Sequence, residues 1–131
     1  MEVAIWDTYV TKKDGNVLHF DIIVPENIKD KAVVYQFGKA YLASQNEGDS
    51  LLDTDECQFC HIEEPTAEMI QSIETKGYFI LEMEEIPVVL PQTPTRRQLI
   101  LHLRAFHKAY RFASFVGKSM EDIQLLRKNR Q

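Results

Sequence analysis

The chain has 131 residues, 44% of them apolar, which suits one domain with an appended element. No apolar run approaches the roughly 18 residues of a membrane span, and an acidic residue follows Met1 where a signal peptide requires positive charge. We therefore expect a protein of the cytoplasm, rather than one that crosses a membrane or is exported.

The net charge of −5 is distributed unevenly along the chain. Residues 1–86 contain 6 Lys and Arg against 18 Asp and Glu, whereas residues 87–131 contain 9 against 2. Three prolines lie between residues 87 and 94, and proline neither continues a helix nor occupies a central strand. The sequence predicts an acidic domain over 1–86, a proline-containing linker over 87–94 and a basic tail over 95–131.

Two segments near the N-terminus, residues 3–10 and 17–24, are rich in β-branched and aromatic side chains, as strands are. Between them, Lys13-Asp14-Gly15 suits a type I turn followed by a left-handed glycine. Such a turn fixes the register of a hairpin, with Trp6 and Phe20 on a common face.

Helical and strand patterns alternate after the hairpin. We expect a helix from about Ile28 to Ser44 capped by Asn27, a strand from Asp55 to Glu63, a helix opened by Glu64-Pro65-Thr66, and a strand from Tyr78 to Glu84. The order ββαβαβ predicts an α+β fold in which the helices cover one face of a mixed or antiparallel sheet.

The basic tail has the pattern of two helices. Thr95 and Gln98 fit a capping box, and Leu99, Leu103, Phe106 and Tyr110 follow at spacings of four and three. Basic amphipathic helices bind membranes, RNA or acidic protein surfaces. Because this chain has an acidic domain of its own, we expect the tail to dock there or on a second copy in a homodimer, rather than on a membrane surface or nucleic acid.

Six short motifs are distributed over the acidic domain. They are Trp6-Asp7-Thr8-Tyr9-Val10, Asp14-Gly15, His19-Phe20-Asp21, Tyr35-Gln36-Phe37-Gly38, Glu56 to Glu63 and Gly77-Tyr78. Together they resemble a small bacterial family, domain of unknown function family 2024, over about residues 1–86. The resemblance implies no activity, cofactor or catalytic residue, and it does not extend to the tail.

Cys57-Gln58-Phe59-Cys60-His61 has the spacing Cys-x-x-Cys-His, which occurs in haem attachment sites, zinc knuckles and redox pairs. Haem attachment belongs with export, for which the chain shows no signal. A zinc site of Cys57, Cys60 and His61 lacks a second ligand pair, since His102 and His107 lie about 140° apart on a helix. In a regular strand the two thiols point to opposite faces, so zinc or redox use requires a turn or bulge. The alternative is two separate, unreactive thiols and no cofactor.

The hairpin register also predicts a polar cluster, with Asp7 opposite Asp21 and Tyr9 opposite His19 on the face away from Trp6. Like charges across a strand pair are unfavourable unless a cation or a proton relieves them. Two carboxylates and an imidazole can hold a divalent metal ion, or share a proton as general acid and base, with raised carboxyl pKa values. The alternative is a solvated outer face whose carboxylates pair with lysines of a neighbouring element.

Two classes of function follow from these residues. The first is a small binding or interaction protein with no assignable activity, which the tail and its acidic partner surface favour. The second is a metal-dependent or thiol-based enzyme that uses the Cys-x-x-Cys-His motif and the face of Asp7, His19 and Asp21. No catalytic residue is assigned on either reading.

Overall fold

Four antiparallel strands form one sheet in the order β3-β1-β2-β4 in the computed structural model, which describes residues 1–48, 50 and 56–128. The strands are β1 (Val3–Thr11), β2 (Val17–Pro25), β3 (Cys57–Glu63) and β4 (Phe79–Ile86). Asp55, where the sequence places the start of the third strand, lies outside the described residues. The sheet is therefore antiparallel throughout, and the hairpin β1–β2 is its centre.

The register of the hairpin agrees with the turn predicted from Lys13-Asp14-Gly15. The backbone N–H of Lys12 donates to the carbonyl O of Asn16 over 2.8 Å, and Gly15 adopts φ +91°. A left-handed φ of this size favours glycine because it lacks a Cβ atom. Asp7 consequently pairs with Asp21, and Tyr9 with His19.

The α+β class and the order ββαβαβ with a helical tail are confirmed. The helices are α1 (Lys31–Ser44), α2 (Ala67–Lys76), α3 (Arg96–Phe106) and α4 (Met120–Lys128), with a short 3-10 turn at Lys108–Tyr110. The cap of α1 differs from the prediction: Asp30, not Asn27, accepts from the backbone N–H of Ala32. Asn27 belongs to a turn instead, in which the N–H of Ile28 donates to the carbonyl of Pro25.

The helices lie on both faces of the sheet, whereas the sequence predicted one. Helix α1 packs Val34 and Leu42 on the face of Trp6. Helix α2 packs Met69 on the opposite face, against Ile5 and its neighbours. The reason is in β1 and β2, whose residues 3–6 and 22–24 are apolar without alternation, as in strands that are buried on both faces.

Both outer strands contain a β-bulge beside the centre of the sheet. In β3, Phe59 pairs with Trp6 but His61 pairs with Ile5, so one residue is added between the pairs. In β4, the same irregularity separates the pairs that Phe20 and His19 make. Bulges redirect side chains and are frequent beside functional sites.

Helix α3 is packed on two of its sides, one against the sheet and the other against the rest of the tail. Leu101, Ala105 and Phe106 lie on the sheet against Tyr9, Val17 and Ile86. Leu99 and Leu103, which begin the predicted apolar stripe, face the other way and form a cluster with Phe115 and Ile123 of the tail. The predicted stripe is thus divided between the tail's own core and the sheet.

Residues 87–94 connect the two parts and contact the hairpin turn. The N–H of Val88 donates to Asn16 Oδ1 over 3.1 Å, and His102 Nε2 lies 3.0 Å from the carbonyl O of Val88.

In the described ranges, no helix has the length and apolar character needed to cross a membrane.

Candidate functional site

The polar cluster predicted from the hairpin register lies on the sheet face that α2 and α3 share. Asp7, His19 and Asp21 each offer one potential ligand atom, and these atoms all lie within 4.8 Å of one another. All three side chains are half-buried. Two carboxylates and an imidazole at this separation have the composition of a site for a divalent cation.

The ring of His19 is held on three sides. Nδ1 lies 2.9 Å from Glu84 Oε1, Nε2 contacts Asp7 Oδ1, and the ring stacks on Tyr9 with the centroids 4.4 Å apart and the planes 4° from parallel. A carboxylate beside each ring nitrogen favours the protonated form of the imidazole. The ring therefore cannot rotate, and Nε2 faces the aspartates.

Glu84 was not predicted as a site residue. Regular pairing of β4 with β2 would place Met83 opposite His19, and the bulge in β4 places Glu84 there instead. The alternation of β4 indicates an outward glutamate, but the partner strand and the bulge are tertiary features that no local pattern reveals.

Burial and mutual charge shift the proton equilibria of this cluster. Burial, the charge of Asp7 and a hydrogen bond with Asp7 raise the pKa of Asp21 to about 7. Burial lowers the pKa of His19, but the carboxylates of Asp7 and Glu84 outweigh it, so that this pKa is raised. In the absence of a cation, Asp21 thus keeps its proton to a higher pH than an ordinary aspartate.

The tail forms one wall of the cleft above the cluster. Arg104, Arg111 and Phe112 face Asp7, Tyr9, His19, Gln58 and Cys60 across a cleft of about 270 Å³. Tyr9 is only 2% exposed under this wall, and burial together with the charge of Asp7 raises its pKa. Sequence reasoning missed Arg104 and Arg111 as site residues, because their contact with the cleft depends on how the tail docks.

An ion pair fixes the tail to the domain. Arg111 Nη1 contacts Glu56 Oε2, and the Arg111 guanidinium also lies 5.3 Å from the centre of the Tyr9 ring. Arg111 Nε donates to the carbonyl O of Arg104 over 3.0 Å. These contacts fix the Arg111 side chain in the wall of the cleft, so its guanidinium is not available to bind a ligand.

The structure does not bring Cys57 and Cys60 together, which corrects the candidate zinc set of Cys57, Cys60 and His61. Cys57 is fully buried in the core beneath α1, where Thr8 Oγ1 lies 3.5 Å from its Sγ, and burial raises its pKa. Cys60 is exposed on the opposite face. The two thiols cannot share a metal ion or a disulfide, because the sheet lies between them.

The position of His61 differs from that in a regular strand. The bulge turns His61 to the face of Cys60, with its Nδ1 3.2 Å from Cys60 Sγ. Burial first, and then the charges of Asp7 and Asp21, raise the pKa of the Cys60 thiol. Cys60 therefore lies within range of the electrostatic field of the two aspartates.

Comparisons with known proteins identify relatives of the domain but no activity. A family model described as "Domain of unknown function (DUF2024)" matches residues 1–83. The NMR structure of protein NE1680 from Nitrosomonas europaea is 39% identical, with a TM-score of 0.58, over 64% of this chain and 96% of that protein. A search of the curated proteins found no match. The family model ends before α3, so it does not include the wall formed by the tail.

Proposed function

The chain belongs to the DUF2024 family of unknown function, and we propose that it is a small binding protein whose ligand is a divalent transition-metal ion. Asp7, His19 and Asp21 are the proposed ligands. The observation that carries the proposal is the convergence of their three ligand atoms within 4.8 Å.

The hydrogen bond from His19 to Glu84 supports this proposal. In metal sites, a ligating histidine commonly donates its other ring N–H to a carboxylate, which sets the tautomer and raises the basicity of the ligating nitrogen. Here Glu84 accepts from Nδ1, and Nε2 faces Asp7. A cation between Nε2 and the aspartates would take the place of a proton on Nε2 and of the proton on Asp21.

The electrostatics of the hairpin also support the proposed metal site. Asp7 and Asp21 are directly opposite in the strand pair, where like charges repel. A divalent cation removes this repulsion without protonating either group. Imidazole with carboxylates suits Zn²⁺, Co²⁺ or Mn²⁺, and three protein ligands would leave such an ion able to take a further ligand.

The reducing interior of a cell is the proposed location. Both cysteines are free thiols, as proteins of the cytoplasm usually keep them. Fractionation of the native cells with an antibody against the chain would test this location.

Calorimetric titration with Zn²⁺ tests the proposed function. The protein is first treated with a chelator and then dialysed free of it. We expect one zinc ion per chain for the unaltered protein. Asp21→Asn should weaken binding beyond the about 10–100-fold that even outer-shell substitutions cause.

Asp14→Asn is the matched control. Asp14 is an exposed carboxylate of the hairpin turn, and asparagine suits such a turn equally well. Its zinc affinity should equal that of the unaltered protein. Equal affinity for zinc in Asp21→Asn and Asp14→Asn, or no binding by the unaltered protein, would refute the proposed function.

A further inference from the structure

The tail contacts the domain through two cationic side chains, Arg111 and Lys108, which both lie beside Glu56. Three other arginines of the tail line a separate groove of about 390 Å³, which we call the arginine groove. Its lining combines the cationic side chains Arg96, Arg97 and Arg104 with the apolar side chains Ile100, Phe115 and Val116. The groove belongs to the tail itself, on α3 and the segment of residues 114–116.

The positive charge of the arginine groove is poorly compensated. Arg97 Nη2 lies 3.6 Å from Glu84 Oε2, but the Arg97 side chain is 76% exposed, and so exposed a pair contributes little. Among the residues that the structure describes, neither Arg96 nor Arg104 forms an ion pair with a carboxylate. Three guanidinium groups at one groove therefore share a single carboxylate partner in the described part of the chain.

Contacts with the backbone hold two of these guanidinium groups in place. Arg96 donates to the carbonyl O of Phe115 over 2.9 Å and also to that of Lys118. Arg104 Nη2 donates to the carbonyl O of Ala113 over 3.1 Å. Carbonyl oxygens orient a guanidinium without neutralising its charge, so the cations are positioned before a ligand arrives. Such preorganisation lowers the entropic cost of binding.

The arginine groove also has an apolar side. Phe115 is buried and Ile100 is half-buried, whereas Val116 is 92% exposed. Apolar and cationic side chains together suit an organic anion better than an inorganic ion, because the carbon atoms of an organic ligand can cover the apolar side. The volume also lies within the about 300–1,000 Å³ that is usual for small-molecule sites.

We infer that the arginine groove binds a small organic phosphate. Its phosphate group pairs with the guanidinium groups of Arg96, Arg97 and Arg104, and its organic group covers the apolar side of the groove. Guanidinium donors match the oxygens of a phosphate in pairs. A phosphate monoester carries about −1.5 to −2 charges at pH 7, so it balances more of the positive charge than one carboxylate does. This site is independent of the proposed metal site.

Two-dimensional ¹H–¹⁵N NMR of the full chain tests this inference, with phenyl phosphate as the probe. The protein is treated with a chelator and dialysed free of it, so that no bound metal ion holds the phosphate. We expect saturable shifts of the amide signals of Ser114, Phe115 and Val116. Inorganic phosphate should bind more weakly than phenyl phosphate, and phenol should cause no saturable shift.

Arg97→Gln removes one charge from the arginine groove and leaves the backbone contacts of Arg96 and Arg104 in place. Its affinity for phenyl phosphate should fall by about fivefold or more. Lys108→Gln is the matched control, because it removes one charge from an exposed residue of the tail that does not line the groove. Its affinity should equal that of the unaltered protein, and far-ultraviolet circular dichroism should show that both variants are folded.

Three results would overturn the inference. Equal affinity for phenyl phosphate in the two variants would mean that the probe responds to the overall charge of the tail. A titration without saturable shifts at residues 114–116 would exclude the groove as the site. Fluorescence anisotropy with a labelled oligouridylate provides the third: RNA binding that Arg97→Gln weakens, without binding of phenyl phosphate, would assign the groove to nucleic acid instead.

Discussion

Glu84 Oε1 lies 2.9 Å from Nδ1 of His19, and Asp7 contacts Nε2 on the opposite side of the same ring. The imidazole is therefore oriented before any ligand arrives. The Glu84 carboxylate favours a proton on Nδ1, and Asp7 lies at the nitrogen that would bind a cation. This relationship supports a metal ligand more strongly than it supports an ordinary surface ion pair, since each ring nitrogen has a distinct partner.

Replacing Glu84 by alanine should weaken metal binding without removing a ligand. Loss of the acceptor at Nδ1 frees the ring to rotate and makes Nε2 less basic. We expect zinc affinity to fall by about tenfold in a calorimetric titration of Glu84→Ala.

Glu82→Ala is the control for this change. Glu82 lies two residues away on the same strand, and it accepts from the hydroxyl of Tyr41 on the face of α1. Its zinc affinity should be unchanged. A similar loss in both variants would mean that β4 is merely destabilised, and that Glu84 has no specific role.

Metal-free protein should lose stability as the pH rises through the titration of Asp21. The pKa of Asp21 is raised from 3.8 to about 7 in the folded state, so folding is favoured while the group is protonated. This contribution is complete below the unfolded pKa and is lost as the pH rises through the folded pKa. His19 acts in the same sense, because its pKa is also raised.

Asp21→Asn should remove the Asp21 part of this dependence. After allowance for solvent screening, we expect the free energy of unfolding of the variant to exceed that of the unaltered protein by about 1–2 kcal/mol at about pH 8. At about pH 4 the two values should be almost equal. Urea denaturation with a chelator present measures both values. If the difference between the two proteins is the same at both pH values, Asp21 does not hold a proton in the fold.

Arg111→Ala should be severely destabilising. The side chains of Arg111 and Glu56 are only 10% and 12% exposed, so removing the guanidinium leaves a nearly buried carboxylate without its main partner. Breaking such a pair costs about 3–5 kcal/mol. Lys108 is a matched control, since its Nζ lies 3.7 Å from the same glutamate but its side chain is 66% exposed.

Lys108→Ala should change the free energy of unfolding by less than about 1 kcal/mol. Urea denaturation of both variants provides the comparison. Similar values for Arg111→Ala and Lys108→Ala would show that the Arg111–Glu56 pair does not anchor the tail.

Ending the chain after Ile86 should leave a folded but less stable domain. The relative from Nitrosomonas europaea matches 64% of this chain over 96% of its own length, which indicates that such a domain folds without the tail. Removal of α3 would expose Tyr9, Val17 and Ile86, which it covers. We expect the melting temperature to fall by roughly 10 °C or more.

A point variant separates docking of the tail from its deletion. Ala105→Asp introduces a charge into the buried contact with Tyr9, whereas Ala109→Asp changes an exposed residue. The first should lower the melting temperature and the second should not. An unchanged melting temperature after truncation, with an unchanged oligomeric state by size-exclusion chromatography, would show that the tail serves another partner.

The part of the site that local sequence determines could be predicted. Lys13-Asp14-Gly15 sets the turn, the turn sets the register, and the register places Asp7 opposite Asp21. The apolar runs at residues 3–6 and 22–24 lack the alternation of a strand with one buried face, so the helices on both faces also have a local signal in the sequence.

The rest of the site depends on tertiary arrangement. The positions of Glu84 and His61 follow from bulges in strands whose neighbours are remote in sequence. Arg111 reaches the cleft through an ion pair with Glu56, which is far away in the chain. Periodicity reports which face of an element is apolar, but it does not report which element covers that face.

Anomalous diffraction from crystals of the full chain grown with zinc tests the central claim most directly. We expect one peak at the zinc edge in the cleft, about 2.0–2.2 Å from His19 Nε2 and from a carboxylate oxygen of Asp7 and of Asp21. Glu84 should still accept from Nδ1. A cleft without a peak, in which His19 keeps its hydrogen bonds to both Asp7 and Glu84 at saturating zinc, would contradict it.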